Sequence, residues 1–324
     1  MPKRAVLVTG GAGYIGSHAC KALARAGHLP VALDNLVQGH EAAVRWGPLV
    51  AGDIRDRALV EGVIRAHRID AVIHFAGHAY VGESMRDPGK YFATNVAGSL
   101  VLLEAMQACG VGRIVFSSTC ATYGIPQSLP IRDEEVQRPI NPYGESKLFV
   151  ERALHWYGVA HGLRSVSLRY FNAAGADPDG ELGEDHEPET HLIPLAIGAA
   201  LGRRPPLQIF GTDYPTPDGT AVRDYVHVSD LADAHVRALD YLEAGGESSA
   251  FNLGTGRGHS VREVVTSVER AAKRTLPRRD AARRAGDPAS LVAAPGRTRE
   301  RLGWTARRSD LDTIIGTAWR WQAR

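Results

Sequence analysis

Cysteine is scarce in this chain. The 324 residues hold three, Cys20, Cys109 and Cys120, with no Cys-x-x-Cys pair. That excludes a disulfide framework, gives no basis for a cysteine-built zinc cluster, and fits a reducing cytosol. Charge of one sign is not in excess either. Lys plus Arg number 38 and Asp plus Glu 36, a formal net charge of +2, which removes any electrostatic argument for a nucleic-acid partner. Long apolar runs are absent; none approaches the roughly 18 residues of a membrane span. The start, Met1-Pro2-Lys3-Arg4, leads straight into a short strand-like run, without the apolar region and cleavage site of a secretory signal. A cytoplasmic location without membrane association is expected. What is present is ordinary globular composition, 44% apolar and 23% charged, which excludes wholesale disorder and a collagen-like repeat. Glycine is plentiful, at 35 residues, and concentrated in motifs.

Length suggests about two domains. Up to Phe171, strand-like runs at 4–9, 29–33, 48–51, 71–75, 113–117 and 163–170 alternate with helix-like segments at 14–26, 56–66, 88–109 and 142–162. Continuous apolar strands separated by helices indicate a parallel sheet covered on both faces. The expectation is an α/β, doubly wound, Rossmann-type domain over 1–171. Beyond it the pattern breaks. An acidic, Gly- and Pro-bearing stretch at 172–190 reads as an irregular loop, and 192–201 as a helix. A Pro/Gly/Thr/Asp-rich segment follows at 205–225, then a helix from Ser229 to Leu242 with Ser229 as candidate N-cap. Further helices are expected at 260–273 and 309–322, around an arginine-rich stretch at 277–308. Residues 172–324 thus read as a smaller, loop-rich lobe, of which about 222–254 is a candidate to pack back on the first domain.

The sharpest local signal is Thr9-Gly10-Gly11-Ala12-Gly13-Tyr14-Ile15-Gly16, which ends a strand and opens a helix. That is the context of a dinucleotide fingerprint. Gly10 permits the tight turn, Gly13 lets the backbone approach a pyrophosphate, and Gly16 lets helix and strand pack closely. The helix N-terminus offers unpaired N–H groups and a positive dipole end. Asp34 closes the second strand, 18 residues after Gly16. A carboxylate there accepts from adenosine ribose hydroxyls and repels a 2′-phosphate, which favours NAD over NADP. A second signal is Tyr143-Gly-Glu-Ser-Lys147. Residues four apart share a helix face, and an ammonium near a phenol stabilises phenolate, so Tyr143 can act as a base. Ser117-Ser118-Thr119 at a strand end supplies a hydroxyl to share the substrate proton.

Taken together, these segments resemble the extended short-chain dehydrogenase/reductase superfamily, and within it the UDP-hexose 4-epimerases. The resemblance is carried by VTGGAGYIGSH (8–18), LDN (33–35), GDIRD (52–56), VIHFAG (72–77), FSSTCATYG (116–124), NPYGESK (141–147), LRYFNAAGA (168–176), HLIP (191–194), IFGTDYPTPDGTAVRDYVHVSDLADAH (209–235) and RRAGDPA (283–289), among others spread over nearly the whole chain. It implies NAD contacts at Gly10, Gly13, Tyr14, Ile15, Gly16, Asp34, Asn35, Asp53, Ile54, Phe75, Ala76, Gly77, Asn95, Tyr143, Lys147 and Phe171. It implies substrate contacts at Thr119, Tyr143, Asn172, His191, Leu192, Gln208, Phe210, Arg223, Arg284 and Asp287, with Leu291 beside the sugar's C2 substituent. Tyr143, Lys147 and Thr119 are the implied catalytic set. Arg223 and Arg284 suit a diphosphate, since guanidinium forks match phosphate oxygens. The second lobe would then mainly bind the UDP-hexose, and a homodimer through the helices near 88–109 and 142–162 is implied.

Some positions depart from the family pattern. Ala79 stands where a Lys is frequent, Thr119 where many members have Ser, Cys120 where a small residue is usual, and Ala293-Ala294-Pro295 where Ala-Asp is frequent. The implied reaction is inversion at C4 by oxidation, rotation of a 4-keto sugar and re-reduction. Alternatives are another UDP-sugar 4-epimerase, a uronate epimerase or decarboxylase, or an NAD-sensing binding protein. A 4,6-dehydratase would carry Asp-Glu where Cys120-Ala121 stand. No metal site is expected: His74 and His78 sit in or beside a strand, His186 and His191 flank an acidic loop, and no histidine pair lies at i, i+4 on a helix with carboxylates set for zinc.

Overall fold

Apolar runs such as Val6-Leu7-Val8, Val31-Ala32-Leu33 and Ala71-Val72-Ile73 suit burial on both faces, and the chain uses them that way. The computed structural model describes residues 3–284 and 287–324. Its strands are β1 (Ala5–Thr9), β2 (Leu29–Asp34), β3 (Leu49–Ala51), β4 (Ala71–His74), β5 (Arg113–Thr119), β6 (Arg164–Tyr170), β7 (Asn172–Ala174), β8 (Leu207–Phe210), β9 (Val222–Arg223), β10 (Tyr225–His227), β11 (Ser249–Leu253), β12 (His259–Ser260), β13 (Arg278–Ala281) and β14 (Ser290–Leu291). Seven of them form one parallel sheet in the order β11-β6-β5-β4-β1-β2-β3. The strand order reverses at β1, flanked by β2 and β4. Open α/β sheets bind ligands beyond the strand C-termini at such a point.

The helices are α1 (Tyr14–Arg25), α2 (Arg57–His67), α3 (Val81–Ser84), α4 (Pro88–Tyr91), α5 (Ser99–Ala108), α6 (Pro142–His161), α7 (Leu192–Ala200), α8 (Val228–Glu243), α9 (Val261–Ala272), α10 (Gly296–Leu302) and α11 (Leu311–Gln322). Side chains alternate across a strand, so β1 sends Leu7 to one layer and Val6 and Val8 to the other. Leu7, Leu33, Val72 and Phe116 meet Val60, Val63, Leu102, Met106 and Leu154 from α2, α5 and α6. On the opposite face Val6, Val8, Ile73 and Leu168 meet Leu23 of α1 and Leu231, Leu239 and Leu242 of α8, together with Phe251 and Trp304. A third cluster, from α7, α9 and α11, holds Ile193, Ile197, Val264, Val268 and Ile314.

Four features differ from, or add to, the sequence reading. The helix expected over 88–109 is interrupted by a π-helical segment, Phe92–Gly98, between α4 and α5. The cap of α8 is His227, whose Nδ1 accepts from Ser229 N at 3.1 Å, rather than Ser229. The stretch 172–190 contains the short strand β7, paired with β10. Strand β11 pairs with the free edge of β6, with Phe251 opposite Leu168.

Candidate active site

The glycine loop lies at the C-terminal end of β1. Gly10 has φ +71°, and a Cβ there would stand 2.7 Å from Ala76 N; only glycine fits both demands. A Cβ on Gly16 would run into the Gly10 carbonyl. Gly13 differs: a Cβ would meet only Gly10 O, at 3.4 Å. The backbone at Gly13 therefore faces open space at the N-terminus of α1, the geometry a pyrophosphate requires. Tyr14 is buried, and its hydroxyl donates to Gly175 O at 2.6 Å, while Ile15 is half-buried. Asp34, buried at the end of β2, accepts from Ala12 N at 2.9 Å and from Leu36 N at 2.8 Å. Among the described residues no cation pairs with it, so no partner stands ready to offset a 2′-phosphate there. Asn35 donates to Asp53 at 3.2 Å. Hydrogen bonds from the Arg55 guanidinium hold the Asp53 carboxyl well below the usual range. Ile54 is buried beneath Gly98.

Phe75, Ala76 and Gly77 follow β4, and all three are at least partly exposed. Ala76 N donates to Thr9 O at 3.1 Å. Asn95 sits in the π-helical turn and clamps the same loop: its Oδ1 accepts from His78 N at 2.8 Å, and its Nδ2 donates to His78 O and to Ser146 Oγ, each at 3.0 Å. Irregular turns of this kind concentrate at functional sites. This one aligns α4 and α5 separately while aiming Asn95 at α6.

Helix α6 starts with Asn141 as N-cap, accepting from Gly144 N at 2.8 Å, and Pro142 in its first turn. That start places Tyr143 half-buried at the cleft and Lys147 one turn deeper. Lys147 is 4% exposed. Its Nζ donates to Ser117 O at 2.9 Å and stands 5.0 Å from the Phe116 ring centroid. Among the described residues no carboxylate pairs with it, and burial lowers its pKa to about 8. Burial raises Tyr143 to about 12, and hydrogen bonding from the Thr119 hydroxyl acts in the opposite direction. Thr119 ends β5, and its Oγ1 accepts from Ala121 N at 3.1 Å. Phe171 is buried in one cluster with Cys120, Tyr123, Ile131, Leu291 and Ala293. Cys120 is a buried thiol pushed up to about 12 by desolvation, an inert packing group.

The remaining implied substrate residues come from the second half. Arg284 and Asp287 bond each other, Nε to Oδ2 at 2.8 Å, and the guanidinium stacks 5.1 Å from the Phe210 ring. Gln208 is exposed two residues before Phe210 on β8. Arg223 is in register with Leu291 across the β9–β14 pair. Asn172 opens β7 and is half-buried, and Leu192 opens α7. His191 turns its Nδ1 to Glu184 at 2.8 Å and Glu189 at 2.9 Å. Burial opposes its charge, but the two carboxylates raise it to about 10. Sequence reasoning passed over Asp224, which is fully buried and accepts from Thr255 N, Thr255 Oγ1, Gly256 N and Ala293 N at 2.7–3.2 Å. It ties three loops together beside Arg223. Its only sequence signal was its place inside the Arg223-Asp224-Tyr225 motif.

Residues 6–254 match the NAD dependent epimerase/dehydratase family, and the chain belongs to that family. It is 55% identical over 324 residues to the UDP-glucose 4-epimerase of Rhizobium meliloti, spanning 100% of this chain and 98% of that relative. The UDP-glucose 4-epimerase of Lacticaseibacillus casei is 52% identical over 317 residues, 98% of this chain and 96% of the other. Among solved structures, the UDP-glucose 4-epimerase of Brucella ovis in complex with NAD aligns with a TM-score of 0.96 at 55% identity, covering 98% of each chain. The enzyme from Stenotrophomonas maltophila with bound NAD and formylated UDP-arabinopyranose aligns with a TM-score of 0.95 at 42% identity, over 99% of this chain and 98% of that one.

Proposed function

We propose that this chain interconverts UDP-glucose and UDP-galactose by inverting C4, with NAD as resident cofactor. The observation that carries the reading is Tyr143 set against the Thr119 hydroxyl at the sheet's C-terminal edge, with Lys147 four residues on along α6, buried and bonded to Ser117 O, beside a glycine loop open at Gly13. Near-full-length likeness to UDP-glucose 4-epimerases supports it.

In this reading Gly10, Gly13, Tyr14, Ile15 and Gly16 hold the cofactor's diphosphate. Asp34 and Asn35 hold its adenosine ribose, with Asp53 and Ile54 alongside. Phe75, Ala76, Gly77, Asn95 and Phe171 line the groove towards Lys147. Bound NAD supplies a two-electron acceptor for C4 and a positive ring charge. Tyr143 takes the proton of the 4-hydroxyl, directly or through Thr119. The Lys147 ammonium favours the phenolate this needs, against the desolvation that otherwise raises the phenol. The product of this half is a 4-keto sugar, which turns and is reduced on its other face. Turning requires firm UDP contacts and loose sugar contacts. Arg223 and Arg284 take the diphosphate, Gln208 and Phe210 the uracil, and Asp287 the uridine ribose. Asn172, His191, Leu192 and Leu291 bound the sugar end.

We also read the chain as a cytoplasmic homodimer. Cys20, Cys109 and Cys120 are free thiols, and no helix of the described residues is long and apolar enough to cross a membrane. Phe149, Trp156 and Val159 are exposed along α6, with Phe92 exposed on the π-helical segment packed against it, which supports pairing of these helices between copies. The test of the activity incubates purified protein with UDP-galactose and, separately, UDP-glucose, and separates the products. Both should converge on one equilibrium mixture without added NAD, and denaturation should release NAD. Unchanged substrate, or a dehydrated or decarboxylated product, overturns the reading.

A further inference from the structure

Two groups of acidic side chains are brought together by the segment between β7 and α7, and they differ in one respect. Asp177, Asp179 and Glu181 surround the Nζ of Lys21, at 2.7, 2.8 and 2.6 Å. Their cation is in place. Glu184 and Glu189 are both buried, with side chains 7% and 4% exposed, whereas in the first group only Asp177 is. Among the described residues neither pairs with a lysine or an arginine. Glu189 Oε1 accepts from Thr190 N at 2.6 Å and from His191 N at 2.8 Å, and facing both carboxylates is a pair of imidazoles, both presenting Nδ1. His191 lies 2.8 Å from Glu184 and 2.9 Å from Glu189, and His186 lies 3.3 and 3.9 Å from the same two carboxylates.

One ligand atom from each of the four residues falls within 4.8 Å of the others. Atoms held about 2.0–2.2 Å from a tetrahedral zinc stand roughly 3.3–3.6 Å apart, and the nitrogen–oxygen distances bracket that span. A proton shared by His191 with its carboxylates accounts for one imidazole only. The Nδ1 of His186 is buried and has no hydrogen-bond partner, a costly vacancy for a polar atom unless something else fills it. Two imidazole nitrogens with two carboxylates suit zinc or a neighbouring transition ion, whereas magnesium and calcium prefer all-oxygen shells.

We propose that Glu184, His186, Glu189 and His191 form a divalent transition-metal site, zinc by its donor chemistry. The spacing explains why a search for helical i, i+4 pairs passes over it: the two histidines are five apart in a loop, and the turn at 187–190 closes the set. Its place suggests what it does. The His186 ring meets the edges of Tyr14, at 6.2 Å, and Tyr80, at 6.1 Å. Tyr14 opens α1 at the glycine loop, and Tyr80 follows β4. A metal here fastens residues 184–191 to the start of α7 and seats that loop on the two tyrosines at the rim of the glycine-loop groove. The site is structural: none of its four ligands is a group assigned to the chemistry at C4, and His191, which also bounds the sugar end, joins it to the substrate cleft.

The test uses full-length protein with any polyhistidine tag removed. Protein is dialysed against a chelator, loaded with zinc chloride, desalted and analysed for metal by mass spectrometry. Wild type should retain about one zinc per chain, and His186→Gln and Glu189→Gln should each lose most of it while keeping the wild-type circular dichroism spectrum. Loading with cobalt(II) instead should give the intense visible absorption of a tetrahedral ion, which requires no variant to fold. Chelation should lower the thermal midpoint of wild type and leave that of the variants unmoved. Zinc bound equally by wild type and both variants, or a weak octahedral-type cobalt spectrum, would mean surface binding only and overturn the proposal. So would no zinc retained by wild type.

Discussion

Replacing Lys147 by methionine removes a charge that the cofactor-free fold holds at a loss. The ammonium is 4% exposed and has one protein acceptor, Ser117 O. Burial lowers its pKa from the ordinary 10.5 to about 8. At 1.36 kcal/mol per tenfold change in ionisation constant, that is roughly 3 kcal/mol of penalty for holding the charge. Methionine fills similar volume, and it leaves the Ser117 carbonyl without that donor, at a cost of about 1 kcal/mol. The cofactor-free Lys147→Met protein should therefore be about 2 kcal/mol more stable than wild type at pH 7, while losing activity. The pH dependence fixes the cause. Below about 8 the lysine is charged in both folded and unfolded chains, and the penalty is complete. Between about 8 and 10.5 the unfolded chain binds a proton that the folded one does not, so wild-type stability rises with pH relative to the variant. Equilibrium urea unfolding of both stripped proteins, repeated across that range, should show a gap that narrows as pH rises. A variant less stable than wild type at pH 7, or a gap that ignores pH, would refute the reasoning.

Three further outcomes are expected. Tyr143→Phe should lower kcat by on the order of 100- to 10,000-fold while NAD is retained, measured by turnover and by cofactor released on denaturation; retention of half the wild-type rate would remove Tyr143 from the base role. Wild type should accept UDP-N-acetylgalactosamine in part, and Leu291→Tyr should lower kcat/KM for that substrate by roughly ten-fold or more beyond its effect on UDP-galactose; equal losses on both would show that Leu291 only packs against Cys120 and Phe171. Glu151→Gln should destabilise the fold by about 3–5 kcal/mol in urea, because it breaks a pair with Arg169 in which both side chains are 8% exposed and the oxygen–nitrogen distance is 2.6 Å.

What could be read from the sequence was local. The Gly10–Gly16 turn, the carboxylate at the end of β2 and the Tyr143–Lys147 spacing depend on neighbours along the chain, and so do the apolar strand runs. What could not be read arises from contacts distant in sequence. The 88–109 segment reads as one helix although Thr94, Asn95, Val96 and Gly98 are weak helix formers, and what holds its π-helical turn is Asn95 reaching His78 and Ser146. The cap of α8 is a histidine rather than the serine two residues on, because His227 is also held from outside, its N–H by Ser309 and its Nε2 by Thr317. The pairing of β11 with β6 joins strands separated by several turns of chain, and no pattern within either strand names the partner.

That last pairing has a consequence for biosynthesis. A nascent chain that has emerged only as far as β6 carries an open strand edge and an apolar sheet face covered by α1 alone, because α8 has not been made. Exposed edges of this kind invite intermolecular pairing. The sheet that carries the glycine loop is therefore not completed by the first 171 residues alone. It is completed only when residues 228–253 arrive, so the loop-rich segments encoded between have already emerged while one edge of the sheet is still open.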